Sequence, residues 1–336
     1  MNDTANEKFV IKELYVSHAP HLHAPISISK IMWNVVIALI PALLGAIYYF
    51  GLRALILTLI AVVSAIGFEA FTQKLFSRKI TILDGSAVIT GILIAYNLPP
   101  GVPWWIPIVG SAFAIIIVKQ LFGGLGYNFI NPALAARAFL VASWPQIMTT
   151  KWLAPRSGYL AGFDAITQAT PLSLAKHSQD LNTIKILNSW PVIKNLFLGN
   201  CGGCIGETSA LLLLIGGIYL LARGYINYRI PLAYILTVLI LSILLPTKFS
   251  PLFHLFSGGL MLGAFFMATD YVTSPVTPKG QWIFGVGCGI LTMLIRLWGG
   301  YPEGVSYSIL LMNVATPLIE RYTKPKVFGY KRTKKQ

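Results

Sequence analysis

Long apolar runs, broken by glycine, proline and charged residues, make up most of the sequence and predict an all-α integral membrane protein with about ten transmembrane helices. A helix needs about 20 residues to cross the hydrocarbon core, so the shorter runs at 85–98 and 129–145 are weak candidates by hydropathy alone. The ten predicted segments lie near residues 31–51, 54–72, 85–98, 104–121, 129–145, 206–222, 231–246, 253–270, 281–298 and 304–320.

The second five predicted segments repeat sequence features of the first five in the same order. Because five is an odd number, the second copy would enter the membrane from the opposite side, which predicts two inverted five-helix repeats. In such folds, segments that are short or interrupted by glycine or proline, at matching positions of the two halves, point to the binding site, and here these are 85–98 and 253–270. The repeated pairs are residues 44–48 with 216–219, 91–97 with 263–270, and 119–124 with 296–300.

Composition agrees with this prediction, because only 11% of the 336 residues are charged and a soluble domain has about 25%. The net charge of +15 fits the positive-inside rule better than nucleic-acid binding, since the basic residues lie between the apolar runs and in the tail. We therefore expect a multi-pass protein of the cell (inner) membrane, surrounded by lipid, with both termini cytoplasmic. The predicted organisation is a cytoplasmic lead-in at 1–29, a first five-helix repeat at 30–145, an external loop at 146–205, a second five-helix repeat at 206–320 and a basic cytoplasmic tail at 321–336.

Five ionisable residues lie in or at the ends of apolar segments, where a charge costs about 2.5–3.5 kcal/mol on insertion scales. Lys119 and Arg296 each stand shortly before a Gly-Gly pair, and pairing or snorkelling is the favoured interpretation for them. Glu207 lies at a helix start among small and hydroxyl residues, and Asp270 ends an interrupted segment. Both are candidates for a cofactor site or an ion path. Arg137 is the fifth residue of this group.

Cys201 and Cys204 have the spacing of a redox dithiol or of half a metal site. The sequence has no second pair with this spacing, so packing of small residues is the favoured interpretation. In the lead-in, His18, His21 and His23 are interpreted as surface residues, because no cysteine or acid completes a ligand spacing. No metal site is predicted.

The stretch 164–172 is the main polar feature of the central interval. It contains Thr167 and Thr170, with Asp164 six residues before the second threonine and Pro171 directly after it. From these residues alone, the preferred interpretation is a threonine that caps a helix beginning at the proline. A hydroxyl that carries a cofactor is the alternative.

Four groups of residues together resemble those of a known family. From about residue 25 to 325, the sequence resembles the D subunit of Rnf-type electron transport complexes. It is more distantly similar to the B subunit of the sodium-pumping NADH:quinone oxidoreductase. The motifs are Gly-Tyr-Asn at 126–128 with Asn-Pro-Ala at 131–133, Gly-Glu-Thr-Ser at 206–209, Ala-Thr-Asp at 268–270, and Gly-Gly-Tyr-Pro-Glu-Gly-Val at 299–305.

This resemblance implies an FMN joined through its phosphate to Thr170. The family pattern is similar to Asp-x-x-Ser/Thr-Gly-Ala-Thr, which here runs from Asp164 to Thr170, with Thr167 at its inner hydroxyl position and Gln168 where glycine is usual. A separate flavin transferase would make the bond. The threonine hydroxyl attacks the pyrophosphate of FAD, a phosphoester forms, and AMP leaves.

The resemblance also implies a second, non-covalent flavin, riboflavin, for which Asn97 and Asp270 are the candidate residues. The chain would then be the membrane subunit of a six-subunit ferredoxin:NAD⁺ oxidoreductase that couples electron flow to Na⁺ or H⁺ transport, and it would be an enzyme only as part of that complex. We expect the NAD and ferredoxin sites on partner subunits, since the sequence has neither a GxGxxG motif after a strand nor a cysteine cluster. Two alternatives stay open: a solute channel or transporter without a redox role, and a passive scaffold.

Overall fold

The computed structural model describes residues 27–155, 170–177 and 180–325, which form helices joined by turns and loops, with no strand among them. Asp164, Thr167 and Gln168 lie outside the described residues. The helices are α1 (Ile28–Phe50), α2 (Leu52–Leu75), α3 (Ser86–Tyr96), α4 (Trp105–Ala112), α5 (Pro132–Ser143), α6 (Pro145–Thr150), α7 (Pro171–His177), α8 (Leu181–Leu187), α9 (Trp190–Leu198), α10 (Ala210–Ala222), α11 (Arg229–Leu244), α12 (Pro251–Phe256), α13 (Leu260–Leu262), α14 (Pro278–Trp298) and α15 (Val305–Thr323).

Each of the ten predicted apolar segments contains helix in the structure. Among the helices of the described residues, three (α1, α2 and α14) are long and apolar enough to cross a membrane. Both α1 and α2 expose large apolar side chains, such as Leu44 (61% exposed) and Val63 (67% exposed), as expected for surfaces that face lipid. The prediction of an all-α membrane protein is confirmed, whereas the insertion of the two halves from opposite sides stays a prediction.

The third segment of the second half is interrupted, as the sequence predicts. α12 ends before Ser257, α13 is a single turn, and the π-helical segment Gly263–Met267 follows it. Gly258 at the break has φ +66°, a conformation that favours glycine. At Gly259 a Cβ atom would lie 2.5 Å from Oε1 of Glu207, so a carboxylate reaches the break only because no side chain is there.

Matching helices of the two halves pack in similar ways. In the first half α2 packs against α3 and α4, and in the second half α11 packs against α12 and α14. Between the halves, the two first helices (α1 and α10) contact each other, and so do the two fifth helices (α5 and α15). Gly216 of α10 lies directly against the Ala38 carbonyl of α1. This packing is consistent with an internal repeat.

The connector between the halves folds back onto the second half. α9 packs against α10 and α12, and a small apolar core of Leu172, Leu187, Leu196 and Phe253 joins α7, α8 and α9 to α12. Asn188 ties the same region to the chain before α12, since its side chain donates to the Lys248 carbonyl and accepts from the Ser250 amide. The start of α7 is thereby fixed beside the interrupted segment.

Candidate functional site

Thr170 lies at the start of α7, where its hydroxyl oxygen accepts a hydrogen bond from the Ser173 amide at 3.2 Å. Its carbonyl accepts from the Ser173 hydroxyl at 3.0 Å. The helix-cap interpretation of Thr170 is therefore confirmed. The side chain is 6% exposed, so its surroundings are protein rather than open solvent.

The Thr170 side chain lines a cavity of about 440 Å³, which we call the Thr170 cavity. Two aromatic rings of its wall, Tyr301 and Tyr307, stack with centroids 5.1 Å apart and planes at 25°. Arg137 and Glu303 supply charged groups to the lining. The volume falls within the range of about 300–1,000 Å³ that is typical of cofactor pockets.

Arg137 of α5 is the centre of a buried charged cluster next to this cavity. Its Nη1 atom lies 2.8 Å from Oε1 of Glu207 and 2.9 Å from Oδ1 of Asn97, and its Nη2 atom pairs with Glu303. Nη1 also lies 3.5 Å from Sγ of Cys204. One cation thus meets two carboxylates, and Oε2 of Glu207 is buried without a hydrogen-bond partner among the described residues.

Backbone contacts explain why these side chains meet. The Ile205 and Gly206 amides donate to the carbonyls of Leu98 and Tyr96, at 3.0 and 3.1 Å. These bonds hold the loop before α10 against the end of α3. Gly206 permits the approach, because a side chain there would overlap the Tyr96 ring. These contacts bring the side chains of Glu207 and Asn97 to the guanidinium of Arg137.

Neither cysteine of the CxxC pair forms a disulfide in the structure. Burial raises the pKa of the Cys201 thiol, in the loop before α10, to about 12, which disfavours the thiolate that redox chemistry needs. Sγ of Cys204 and the carboxylates of Glu207 and Glu303 lie within 4.8 Å of one another, a spacing that a metal ion could use. Arg137 contacts all three groups and already supplies positive charge there.

Asp270 lies elsewhere, at a smaller cavity of about 100 Å³ that Lys119, Phe265 and Phe266 also line. Its carboxylate accepts from the Thr273 hydroxyl at 3.1 Å. Asn97 does not line this cavity. The structure therefore does not bring Asn97 and Asp270, the two candidate residues for a second flavin, together around one pocket.

Lys119 and Arg296, at matching positions of the two halves, have different partners. Lys119 forms a buried ion pair with Glu69 at 2.8 Å, so pairing is confirmed for it. Arg296 is also buried, but its guanidinium donates to the carbonyls of His254, Ser257 and Glu303.

Sequence reasoning assigned no role to Glu303, Tyr301 or Tyr307, and left Arg137 without one. The motif at 299–305 contains Tyr301 and Glu303, but it supported only the family resemblance. A glutamate between proline and glycine in such a motif was a usable signal. Nothing in the sequence indicates that Tyr307 stacks on Tyr301.

Comparison with known proteins identifies the family. Residues 15–329 match the model of the NQR2, RnfD, RnfE family. The chain is 56% identical over 325 residues (96% of this chain, 98% of the relative) to the D subunit of the Na⁺-translocating ferredoxin:NAD⁺ oxidoreductase complex of Acetobacterium woodii. It is 47% identical over 325 residues (94% and 96%) to the D subunit of the proton-translocating ferredoxin:NAD⁺ oxidoreductase complex of Clostridium ljungdahlii. It is 42% identical over 329 residues (90% and 92%) to the D subunit of the ion-translocating oxidoreductase complex of Stutzerimonas stutzeri. A match of this extent places the chain in the NQR2, RnfD, RnfE family.

Proposed function

We propose that this chain is the membrane subunit of an ion-translocating ferredoxin:NAD⁺ oxidoreductase complex, and that it carries electrons through an FMN bound to Thr170. The relatives' names support the complex, its ferredoxin:NAD⁺ chemistry and ion translocation. On this proposal the chain acts as an enzyme only together with the other subunits. A separate flavin transferase loads the FMN, and residues 146–205 lie on the outer face of the membrane.

The observation that carries the flavin proposal is the shared cavity. The Thr170 hydroxyl and the stacked Tyr301–Tyr307 pair line the same space of about 440 Å³. This arrangement suits an FMN tethered by its phosphate, because aromatic side chains can pack against the flat ring system. Arg137 lines the same cavity, but its guanidinium is already paired with Glu207 and Glu303, so the fit rests on the hydroxyl and the aromatic pair. The residues present therefore fit the group.

When bound, FMN supplies one- and two-electron transfer, and the protein sets its orientation and electrostatics. Arg137 and Glu303 would set the electrostatic environment of the flavin, since both line the Thr170 cavity. Glu207 lies behind them, with one carboxylate oxygen unpartnered among the described residues. This oxygen makes Glu207 the better of the two ion-path candidates, because it is a free ligand atom for Na⁺ or a site for H⁺. Asp270 is the second candidate.

A second flavin between Asn97 and Asp270 is not part of this proposal. The cavity at Asp270 has about 100 Å³, which is below the range of cofactor pockets. Asn97 is bound to Arg137 instead. Asn97 and Asp270 therefore do not form one riboflavin site, and a riboflavin bound elsewhere in the chain stays a prediction.

Covalent flavin can be detected directly. The chain is co-expressed with a flavin transferase, denatured and run on a gel, and its band is examined for flavin fluorescence. We expect a fluorescent band for the wild type and a dark band for Thr170→Ala. Ser173→Ala is the matched control, because it removes a hydroxyl that lines the same cavity, and we expect its band to stay bright.

The same experiment separates the rival functions. A dark wild-type band would favour a solute channel or transporter, and a bright band in Thr170→Ala would place the flavin on another residue. A passive scaffold predicts that Thr170→Ala leaves electron transfer through the complex intact. On our proposal that transfer is lost.

A further inference from the structure

A third cavity, of about 260 Å³, lies beside α7 and the end of α14. We call it the basic cavity, because the cationic side chains of Lys176, Lys248 and Arg296 line it, together with the imidazole of His254. Its described lining residues include no aspartate or glutamate. The positive charge of this lining is therefore not balanced by a carboxylate of the described wall.

Arg296 is the buried cation of this lining. The side chain is buried, at 6% exposure, and donates to the carbonyls of Ser257 at 2.9 Å and Glu303 at 3.3 Å. No ion pair of Arg296 exists within the described part of the chain, whereas Lys119 at the matching position of the first half is paired with Glu69. The carboxylates of Glu303 and Glu207 lie close enough to offset part of this buried charge, but neither forms an ion pair with Arg296 in the described part of the chain. A phosphate oxygen that reached the guanidinium would therefore gain a charge-assisted hydrogen bond.

His254 is the second, independent sign of a ligand. Its side chain is 4% exposed, yet neither ring nitrogen has a hydrogen-bond partner among the described residues. The ring packs edge-on against Phe249, with centroids 6.3 Å apart. Buried polar groups without partners are rare and call for a bound ion or water. Oxygen atoms in the cavity would provide the missing partner.

Lys176 contributes charge but is already engaged. Its ammonium group donates to the Tyr301 carbonyl at 2.9 Å and to the Gly299 carbonyl, and it thus caps the end of α14. Lys248 is exposed, and its ammonium group has no hydrogen-bond partner among the described residues. Lys248 and His254 are therefore the residues most free to contact a ligand.

The exposed residues beside the cavity are of the kind found at the level of lipid headgroups. It adjoins the last residues of α11 and α14, where Leu244 is 73% exposed and Trp298 is 66% exposed. Apolar residues that face lipid and a tryptophan at a helix end are typical of the membrane interface. Leu172 and Phe253 give the cavity an apolar wall beside its basic residues, which suits an amphipathic ligand.

From these observations we propose that the basic cavity binds a phosphate group, supplied by an anionic phospholipid or by inorganic phosphate, through His254 and Lys248 with Arg296 behind them. The site is separate from the Thr170 cavity and does not depend on bound FMN. Lysine and arginine side chains form charge-assisted hydrogen bonds with phosphate oxygens.

The test uses the purified complex in detergent after lipid removal. Thermal unfolding is followed while phosphatidylglycerol, phosphatidylcholine or inorganic phosphate is added. A saturable rise of Tm with phosphatidylglycerol alone identifies a lipid phosphate, and a rise with inorganic phosphate identifies the free ion as a sufficient ligand. If neither raises Tm, or if phosphatidylcholine acts as well as phosphatidylglycerol, the proposal is overturned.

Two variants locate the effect. We expect Lys248→Gln to raise the ligand concentration that gives half of the Tm increase about fivefold. His254→Phe keeps the packing on Phe249, and we expect it to raise this concentration at least as much. Lys185→Gln is the matched control, because Lys185 is an exposed lysine of α8 outside the cavity. Equal responses in Lys248→Gln and Lys185→Gln would contradict the assignment.

Thr170→Ala separates this site from the flavin. We expect the phosphate response to be the same in Thr170→Ala and in the wild type. A response that appears only in Thr170→Ala would mean that the flavin phosphate normally fills the basic cavity, which would overturn the proposal while leaving covalent attachment intact.

Discussion

Two buried charged clusters, one around Lys119 and one around Arg137, differ in how completely they are satisfied. In the first, Lys119 pairs with Glu69 at 2.8 Å and also donates to the Ser86 hydroxyl at 2.6 Å, while Gln120 donates to the same carboxylate at 2.9 Å. Its one cation and one carboxylate balance. In the second, one cation, Arg137, contacts two carboxylates, those of Glu207 and Glu303, and the nearby buried Arg296 offsets part of their charge.

A buried charge alone therefore does not mark function. No buried polar side-chain atom of the Lys119 cluster lacks a partner within the described residues, whereas Glu207 keeps one such oxygen. The Arg137 cluster also shares Arg137 and Glu303 with the largest of the described cavities. Two carboxylates on one guanidinium, an unpartnered atom and an adjoining cavity together distinguish a candidate site from a structural ion pair.

The greatest loss of stability is expected where charge balance is complete. Glu69→Gln leaves the buried Lys119 ammonium without an opposite charge, and we expect a loss of about 3–5 kcal/mol in the free energy of unfolding. The measurement is denaturant or thermal unfolding of the full chain in detergent. Lys119→Met combined with Glu69→Gln removes the stranded charge, and we expect it to regain part of the loss. A single variant as stable as the wild type would show that this pair is not structural.

A smaller loss is expected for the same isosteric change in the second cluster. In Glu207→Gln the Arg137 guanidinium keeps Glu303, and in Glu303→Gln it keeps Glu207, so no cation is stranded. We expect each variant to lose about 1–3 kcal/mol, the value of one charged hydrogen bond. Both are compared with Glu69→Gln in the same unfolding assay. If either costs as much as Glu69→Gln, the contrast between the two clusters is wrong.

Much of the fold could be predicted from the sequence, because hydrophobic runs and their breaks are local signals. The short helix α3 and the interrupted segment before Asp270 were located from apolar residues bounded by glycine and proline. The Thr170 cap was also predicted, since Thr-Pro at a helix start is a local pattern.

The site was less predictable, because it depends on contacts between distant parts of the chain. Arg137 and Glu303 are 166 residues apart in sequence, and no spacing rule joins them. Asn97 and Asp270 end matching segments of the repeat, which suggested a shared pocket. In the structure, Asn97 instead binds the guanidinium, since the loop that carries Glu207 packs against the end of α3.

The third prediction involves the smallest change in stability. It tests whether a flavin lies beside the Arg137 cluster rather than beside the Lys119 cluster. Tyr301 stacks on Tyr307 in the wall of the Thr170 cavity. A tyrosine in contact with an excited isoalloxazine ring quenches its emission by electron transfer. We therefore expect Tyr301→Leu to increase the flavin fluorescence of the folded protein, with a stability change of only about 0.5–1.5 kcal/mol from the lost ring contact.

Two further variants make this last measurement specific. Tyr301→Phe keeps an aromatic ring that is harder to oxidise, so we expect it to raise the emission too, with less loss of stability than Tyr301→Leu. Tyr271→Leu removes an exposed tyrosine from the lining of the cavity at Asp270, beside Lys119. We expect no change in emission from it, because our proposal places no flavin there. An increase in Tyr271→Leu but not in Tyr301→Leu would move the flavin to the Lys119 side and reverse the roles assigned to the two clusters.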